Sequence, residues 1–112
     1  MSAPRLNRAL QLEALARVPD GAGGYGDAWA AVGTLWAEVR PGTGRGVVTD
    51  PVAVSVAAYR ITVRAAPVGA PSRPRPDQRF REGVRVFRIL AVAEADAEGR
   101  FLTCFAEEEV AA

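Results

Sequence analysis

The sequence predicts an all-β domain, and three observations carry that prediction. Apolar and polar residues alternate with a period of two over several short runs, most plainly Thr34–Arg40 and Ala58–Arg64. Gly and Pro clusters bound those runs, as they bound strands joined by tight turns. Five or six such runs follow one another, which suggests a small barrel or a sandwich. At 112 residues the chain is most simply one domain, able to bury a single core without covalent staples.

Residues 1–5 are expected to be a loose, flexible end. Leu6–Val18 carries two signals. Its Ala and Leu content favours helix, whereas Leu10, Leu12, Ala14, Ala16 and Val18 alternate as a strand would. The turn cluster that follows, Pro19–Asp27, suits a hairpin, so the segment is read as strand. The next strand runs through Trp36, with Leu35, Ala37 and Val39 on one face and Thr34, Trp36, Glu38 and Arg40 on the other. Pro41-Gly42 stops it and opens a connection reaching to about Val54, long for a hairpin and so of functional interest.

Ala58–Arg64 is the clearest strand, with Tyr59, Ile61 and Val63 opposite Arg60, Thr62 and Arg64. Four prolines between Pro67 and Pro76 predict an extended, solvated loop. Glu82-Gly83 marks a turn into Val84–Val92, read as one strand or two short ones. Asp96–Gly99 makes a further turn into Phe101–Phe105, and residues 107–112 read as a short acidic tail.

Composition excludes several function classes. The net charge is +1, so there is no global case for nucleic-acid binding. Charge is nevertheless unevenly spread: up to Ala93 there are 13 Arg against 7 acidic residues, and from Glu94 onward 1 Arg faces 6 acids. Every basic residue is Arg, whose planar fork suits bidentate pairs better than Lys does. Histidine is absent, which removes the usual general base and the commonest metal ligand. The single cysteine, Cys104, allows no intrachain disulfide and reads as a small core residue. No stretch approaches the roughly 18 apolar residues of a membrane span. The N-terminus lacks a signal-peptide pattern, so the default compartment is the cytoplasm.

Gly21–Gly26 invites comparison with a phosphate-binding loop, but that needs a following helix and usually a Lys. Here a strand follows, and the glycines read as a hairpin turn. Arg73, Arg75, Arg79, Arg81, Arg85 and Arg88 form the densest basic stretch. It reads as a solvated or protein-interface face, or as a stripe for phosphates. Glu107, Glu108 and Glu109 could complement that stripe on a neighbouring copy, and head-to-tail contacts of this kind build rings. Trp29 and Trp36 read as core anchors. No nucleophile has an activating partner, so catalysis is not expected.

Taken in order, the elements resemble the phage head–tail joining protein family, the head-closure or stopper proteins of tailed phages and phage-like gene transfer particles. The resemblance rests on Asp20 with Gly23-Gly24-Tyr25-Gly26 and Trp29, then Thr34–Pro41 with Gly44-Arg45. It continues through Tyr59–Arg64, Gly83 with Val86–Ile89 and Ala91-Val92, and Gly99-Arg100 with Leu102–Cys104. It spans about residues 6–106. The Ala/Leu-rich N-terminal segment and the long Pro/Arg loop depart from the family pattern.

The resemblance implies a small single-domain β-barrel of about six antiparallel strands with long loops. It implies a homo-oligomeric ring, hexamer or dodecamer, below the portal and adaptor and above a tail terminator or tail tube protein. That ring would seal packaged double-stranded DNA at the head–tail junction of a virion or phage-like particle assembled in the bacterial cytoplasm, with no cofactor, metal or membrane. The channel-facing loop maps to Gly42, Thr43, Gly44, Arg45, Gly46, Val47 and Val48, within the 42–54 connection. The Arg stripe and Glu107–Glu109 become candidates for contact with partner rings or DNA. The competing class is a small nucleic-acid-binding barrel using Arg60, Arg64 and the Arg73–Arg88 stripe on one face.

Overall fold

The alternation resolves into six antiparallel strands that close on themselves. The computed structural model describes residues 3–42 and 54–111. The strands are β1 (Arg8–Pro19), β2 (Tyr25–Pro41), β3 (Val54–Arg64), β4 (Arg79–Glu82), β5 (Arg85–Glu94) and β6 (Phe101–Ala111). Their order around the barrel is β1-β2-β3-β6-β5-β4, with β4 pairing back onto β1. Closure removes the open edges that a flat sheet of this size would expose.

Inward positions recur every second residue. Leu10 and Leu12 of β1, Ala37 of β2, Ile61 and Val63 of β3, and Phe80 of β4 are buried. Phe87 and Ile89 of β5, and Leu102, Cys104 and Ala106 of β6, complete the core. This settles the ambiguity of the first segment. Leu10 and Leu12 enter the core only if β1 is extended, and β1 is hydrogen-bonded to β2 on one side and β4 on the other. That tertiary pairing outweighs a helix preference of a few tenths of a kcal/mol per residue (about 0.5).

The turns obey local chemistry. Asp20 Oδ1 accepts hydrogen bonds from the N–H groups of Ala22 (2.8 Å) and Gly24 (3.0 Å), while Gly21 and Gly23 adopt positive φ. The glycine run is therefore the β1–β2 hairpin turn. Asp96 plays the same part between β5 and β6, accepting from the N–H groups of Arg100 and Phe101.

Three expectations are corrected, and one strand is added. The acidic residues 107–109 are not a tail. β6 continues through them, pairing Glu107, Glu108 and Glu109 with Ala58, Ala57 and Val56 of β3. β4 was hidden within the Arg-rich stretch, because four residues after a proline loop carry too little periodicity to read as a strand. The Pro67–Asp77 loop is largely solvated but not extended: it folds through turns closed by Ala70 N–H to Pro67 O and Arg73 N–H to Ala70 O. Pro74 is fully buried and Gln78 nearly so, which makes the loop a cover for one barrel end. Finally, Trp36 is 59% exposed and Trp29 is 37% exposed, so neither anchors the core. Trp36 sits at an outward position next to buried Ala37, and the strand's alternation sends it to solvent.

Phe87→Ala should destabilise the domain by about 3–5 kcal/mol, since the ring leaves a cavity in a closed barrel. Trp36→Ala should change stability by less than about 0.5 kcal/mol, as exposed positions do. Urea unfolding of the two variants checks both.

Candidate functional site

The barrel has two unlike ends. At one end the inward-facing residues are charged. Arg8 of β1 forks onto Glu82 of β4, with Nε donating to Oε2 at 3.0 Å and Nη2 donating to Oε1. Arg85 of β5 forks onto Glu108 of β6, with Nε to Oε2 at 2.7 Å and Nη2 to Oε1 at 3.0 Å. Arg85 Nη2 also donates to the Tyr59 hydroxyl at 3.3 Å, and its guanidinium lies 4.9 Å from the Phe87 ring centroid. Tyr59 in turn meets Phe87 edge to face at 5.2 Å. Two Arg and two Glu thus form a neutral, bidentate plug over the apolar core.

The plug also fixes the charge states. The hydrogen bond from Arg85 holds the Glu108 carboxyl below its ordinary range, and that from Arg8 does the same for Glu82. Both guanidinium groups are correspondingly harder to deprotonate. Among the described residues, no buried side-chain nitrogen or oxygen lacks a hydrogen-bond partner.

The 43–53 segment departs from this same end. Pro41 pairs with Tyr59, and Gly42 N–H donates to Ala58 O at 2.7 Å. A Cβ on Gly42 would lie 3.0 Å from the Ala58 Cβ and 3.1 Å from its carbonyl carbon, so glycine permits this close approach. Of the channel-loop candidates Gly42 is placed here. Thr43, Gly44, Arg45, Gly46, Val47 and Val48 lie outside the described residues.

The opposite end carries an arm. β4 pairs with β1 only at Gln11–Glu13, and β3 pairs with β2 only from Ala37 to Pro41. Beyond those limits β1 and β2 pair with each other alone, out to Pro19 and Tyr25. A β-bulge at Val32, where Leu12 faces Gly33 but Glu13 faces Ala31, marks the root of this arm. The root is pinned from outside. Glu13 is buried and paired with Arg79 Nε at 2.7 Å and Arg81 Nε at 3.4 Å, and the Arg79 guanidinium stacks 4.1 Å from the Trp29 ring centroid.

The Arg stripe is consequently not one face. Arg85 turns into the barrel, whereas Arg79 and Arg81 hold Glu13 on the outer wall. Arg88 reaches Asp77 at 3.6 Å, and Arg73 donates to Ala66 O within its own loop. Arg75 is exposed and lines a recess of about 280 Å³ with Gln78, Ala14, Val32 and the 69–71 turn. Glu108, expected to meet a neighbouring copy, is engaged by Arg85 of its own chain; Glu107 and Glu109 face outward. The plug escaped sequence reasoning because its four charges come from four strands. The inward parity of Arg8, Glu82, Arg85 and Glu108 was the available signal.

Chemistry is sparse. Burial pushes the Cys104 thiol up to about 12, so it stays protonated and inert at neutral pH. Among the described residues no cluster of His, Cys, Asp or Glu could hold a metal ion.

The family model described as phage head completion protein matches residues 1–109. The chain belongs to the phage head completion protein family. A solved structure entitled "Virion of native gene transfer agent (GTA) particle" contains a chain that is 58% identical, with a TM-score of 0.84. The match covers 98% of the present chain and 100% of that one. No curated protein matches. Membership makes this a structural, head-associated protein of a phage-like particle. The all-β barrel expected from the resemblance is the fold observed.

The depressed carboxylates set a pH dependence. A carboxyl whose folded-state value is lowered stabilises the fold above its unfolded value, near 4.5, and loses that contribution as pH falls through the folded value. Thermal midpoints should therefore drop steeply below about pH 4.5. The Glu82→Gln, Glu108→Gln double variant should start less stable and show a shallower acid slope, read by circular dichroism melts.

Proposed function

We propose that this chain is a stopper. It forms a homo-oligomeric ring below the portal and adaptor, seals packaged double-stranded DNA in the head, and offers a platform to the tail. The observation that carries the reading is family membership over residues 1–109, supported by the 58% identical chain in a gene transfer agent virion. The two-ended barrel fits this work. A closed core with a salt-bridged end is a rigid body, and a rigid body resists force better than a surface loop does.

In this reading the plug end, from which the 42–54 connection departs, faces the channel. The outer walls and the arm meet neighbouring copies and the adjoining rings. The mechanism is steric closure and interface formation, without bond chemistry. The free-standing nucleic-acid binder loses support, because four of the arginines it needs, Arg79, Arg81, Arg85 and Arg88, are divided among carboxylates inside and outside the barrel.

Deleting the gene in the source organism tests the reading. Electron microscopy should show tailless heads, many emptied of DNA, beside free tails. Intact tailed particles in the deletion strain would retire it.

A further inference from the structure

The outer wall over β2, β3, β6 and β5 carries arginines that the chain's own carboxylates do not answer. The register lays Arg40, Arg60, Phe105 and Ala91 in one row across these strands, and Glu38, Thr62, Thr103 and Ala93 in the next. Both rows face outward, since the residues between them, Val39, Ile61, Cys104 and Val92, belong to the core or pack against it. Arg40 and Arg60 stand directly opposite each other, and like charges so placed cost stability. Glu38 relieves only one of them. Its Oε1 lies 3.0 Å from Arg40 Nε, and its Oε2 accepts from the Arg5 N–H at 2.8 Å. Glu107, the nearest acid along β6, stands in register with Arg88. Arg60 and Arg64 are exposed and form no ion pair among the described residues. The Arg60 guanidinium lies over the Phe105 ring, 5.7 Å from its centroid, which holds it against the wall. Past Phe105 the wall turns apolar. Phe105 is 38% exposed, Leu90 at the β5 bulge is 48% exposed, and Ala91 and Ala93 are exposed beside them.

A guanidinium held on an aromatic ring, unpaired and next to bare apolar side chains, has the make-up of an interface hot spot. Its chemistry selects the partner. A nucleic-acid backbone would meet the guanidinium groups and leave Phe105, Leu90 and Ala91 bare, so the surface fits protein. A second copy does not supply the charge. Neighbours in a closed ring meet through roughly opposite sides of the subunit, and the side opposite β3 and β6 is β4 and β1. That side presents Gln11, Arg79 and Arg81, while Glu13 is buried beneath the two guanidinium groups. Arginine would face arginine.

We propose that this wall docks a different protein of the particle, through a segment that sets an Asp or Glu against Arg60 and covers Phe105 and Leu90 with apolar side chains. The inference rests on the ring reading above, in which the wall turns along the particle axis toward an adjoining ring rather than toward the next copy. The carboxylate answers the Arg40–Arg60 repulsion, and the apolar contact supplies the area that the arginines alone would lack.

The test uses assembled particles in which Leu90 is replaced by the photo-cross-linker p-benzoylphenylalanine. Illumination should join the chain to a different particle protein, through a peptide that contains an Asp or Glu. Adding Arg60→Glu should cut the yield of that product at least about tenfold. Circular dichroism melts of the Arg60→Glu chain should keep at least the parent midpoint, since the new carboxylate faces Arg40. A dimer of this chain, a nuclease-sensitive product, no product from particles that contain the chain, or an undiminished yield with Arg60→Glu each overturns the proposal. The ring reading fails separately. Images of the same particles with no ring of this chain at the head–tail vertex retire it, while the identity of the joined protein still decides the wall.

Discussion

The barrel closes through its shortest contact. β4 touches β1 at only three residue pairs, Gln11–Arg81, Leu12–Phe80 and Glu13–Arg79, and without them the sheet would be open along two edges. Three pairs of backbone partners are a weak seam by themselves, and side chains reinforce it on both sides. Inside, Phe80 and Leu12 are fully buried against the core. Outside, the Glu13 carboxylate grips Arg79 and Arg81 while Trp29 stacks on Arg79. A buried carboxylate held by two guanidinium groups is costly to break, because opening strands the charge. The same cluster roots the arm, so barrel closure and arm direction depend on one set of residues.

From that seam the division of labour follows. Toward one end lie the Arg8–Glu82 and Arg85–Glu108 forks, which close the core with paired charge rather than with apolar residues, and β3 and β6 run on past them to Val54 and Ala111. Running the other way, β1 and β2 leave the barrel as an arm open on both edges. One end of the core is thus closed by paired charge and the other is covered by the Pro67–Asp77 loop, while the arm beyond it is finished only when something else covers it. A protein of a phage-type head works by contacts of this second kind, and its stability must not depend on them before assembly. The closed core supplies that independence.

Much of the fold was legible in the residues. Alternation over Leu35–Arg40 and Ala58–Arg64 gave the faces that the structure shows, and the glycines after Asp20 gave the hairpin. What was not legible depended on partners distant in sequence. The 107–109 acidic run reads as a tail until β3 is seen to pair with it. Arg85 reads as part of a basic stripe until the β5 register turns it toward Glu108. Trp29 and Trp36 read as core because large aromatics usually are, yet parity set by Ala37 and the Val32 bulge sends them outward. The candidate site was half visible: the place of the 42–54 connection could be read, but the arm and the plug required the register.

The most direct test of the account is a cryo-electron microscopy reconstruction of the head–tail vertex at side-chain resolution. The expected result is a ring in which the end bearing Arg8, Tyr59, Arg85 and Glu108 points toward the channel axis. A ring with that end on the outer circumference and the β1–β2 arms lining the lumen would contradict it.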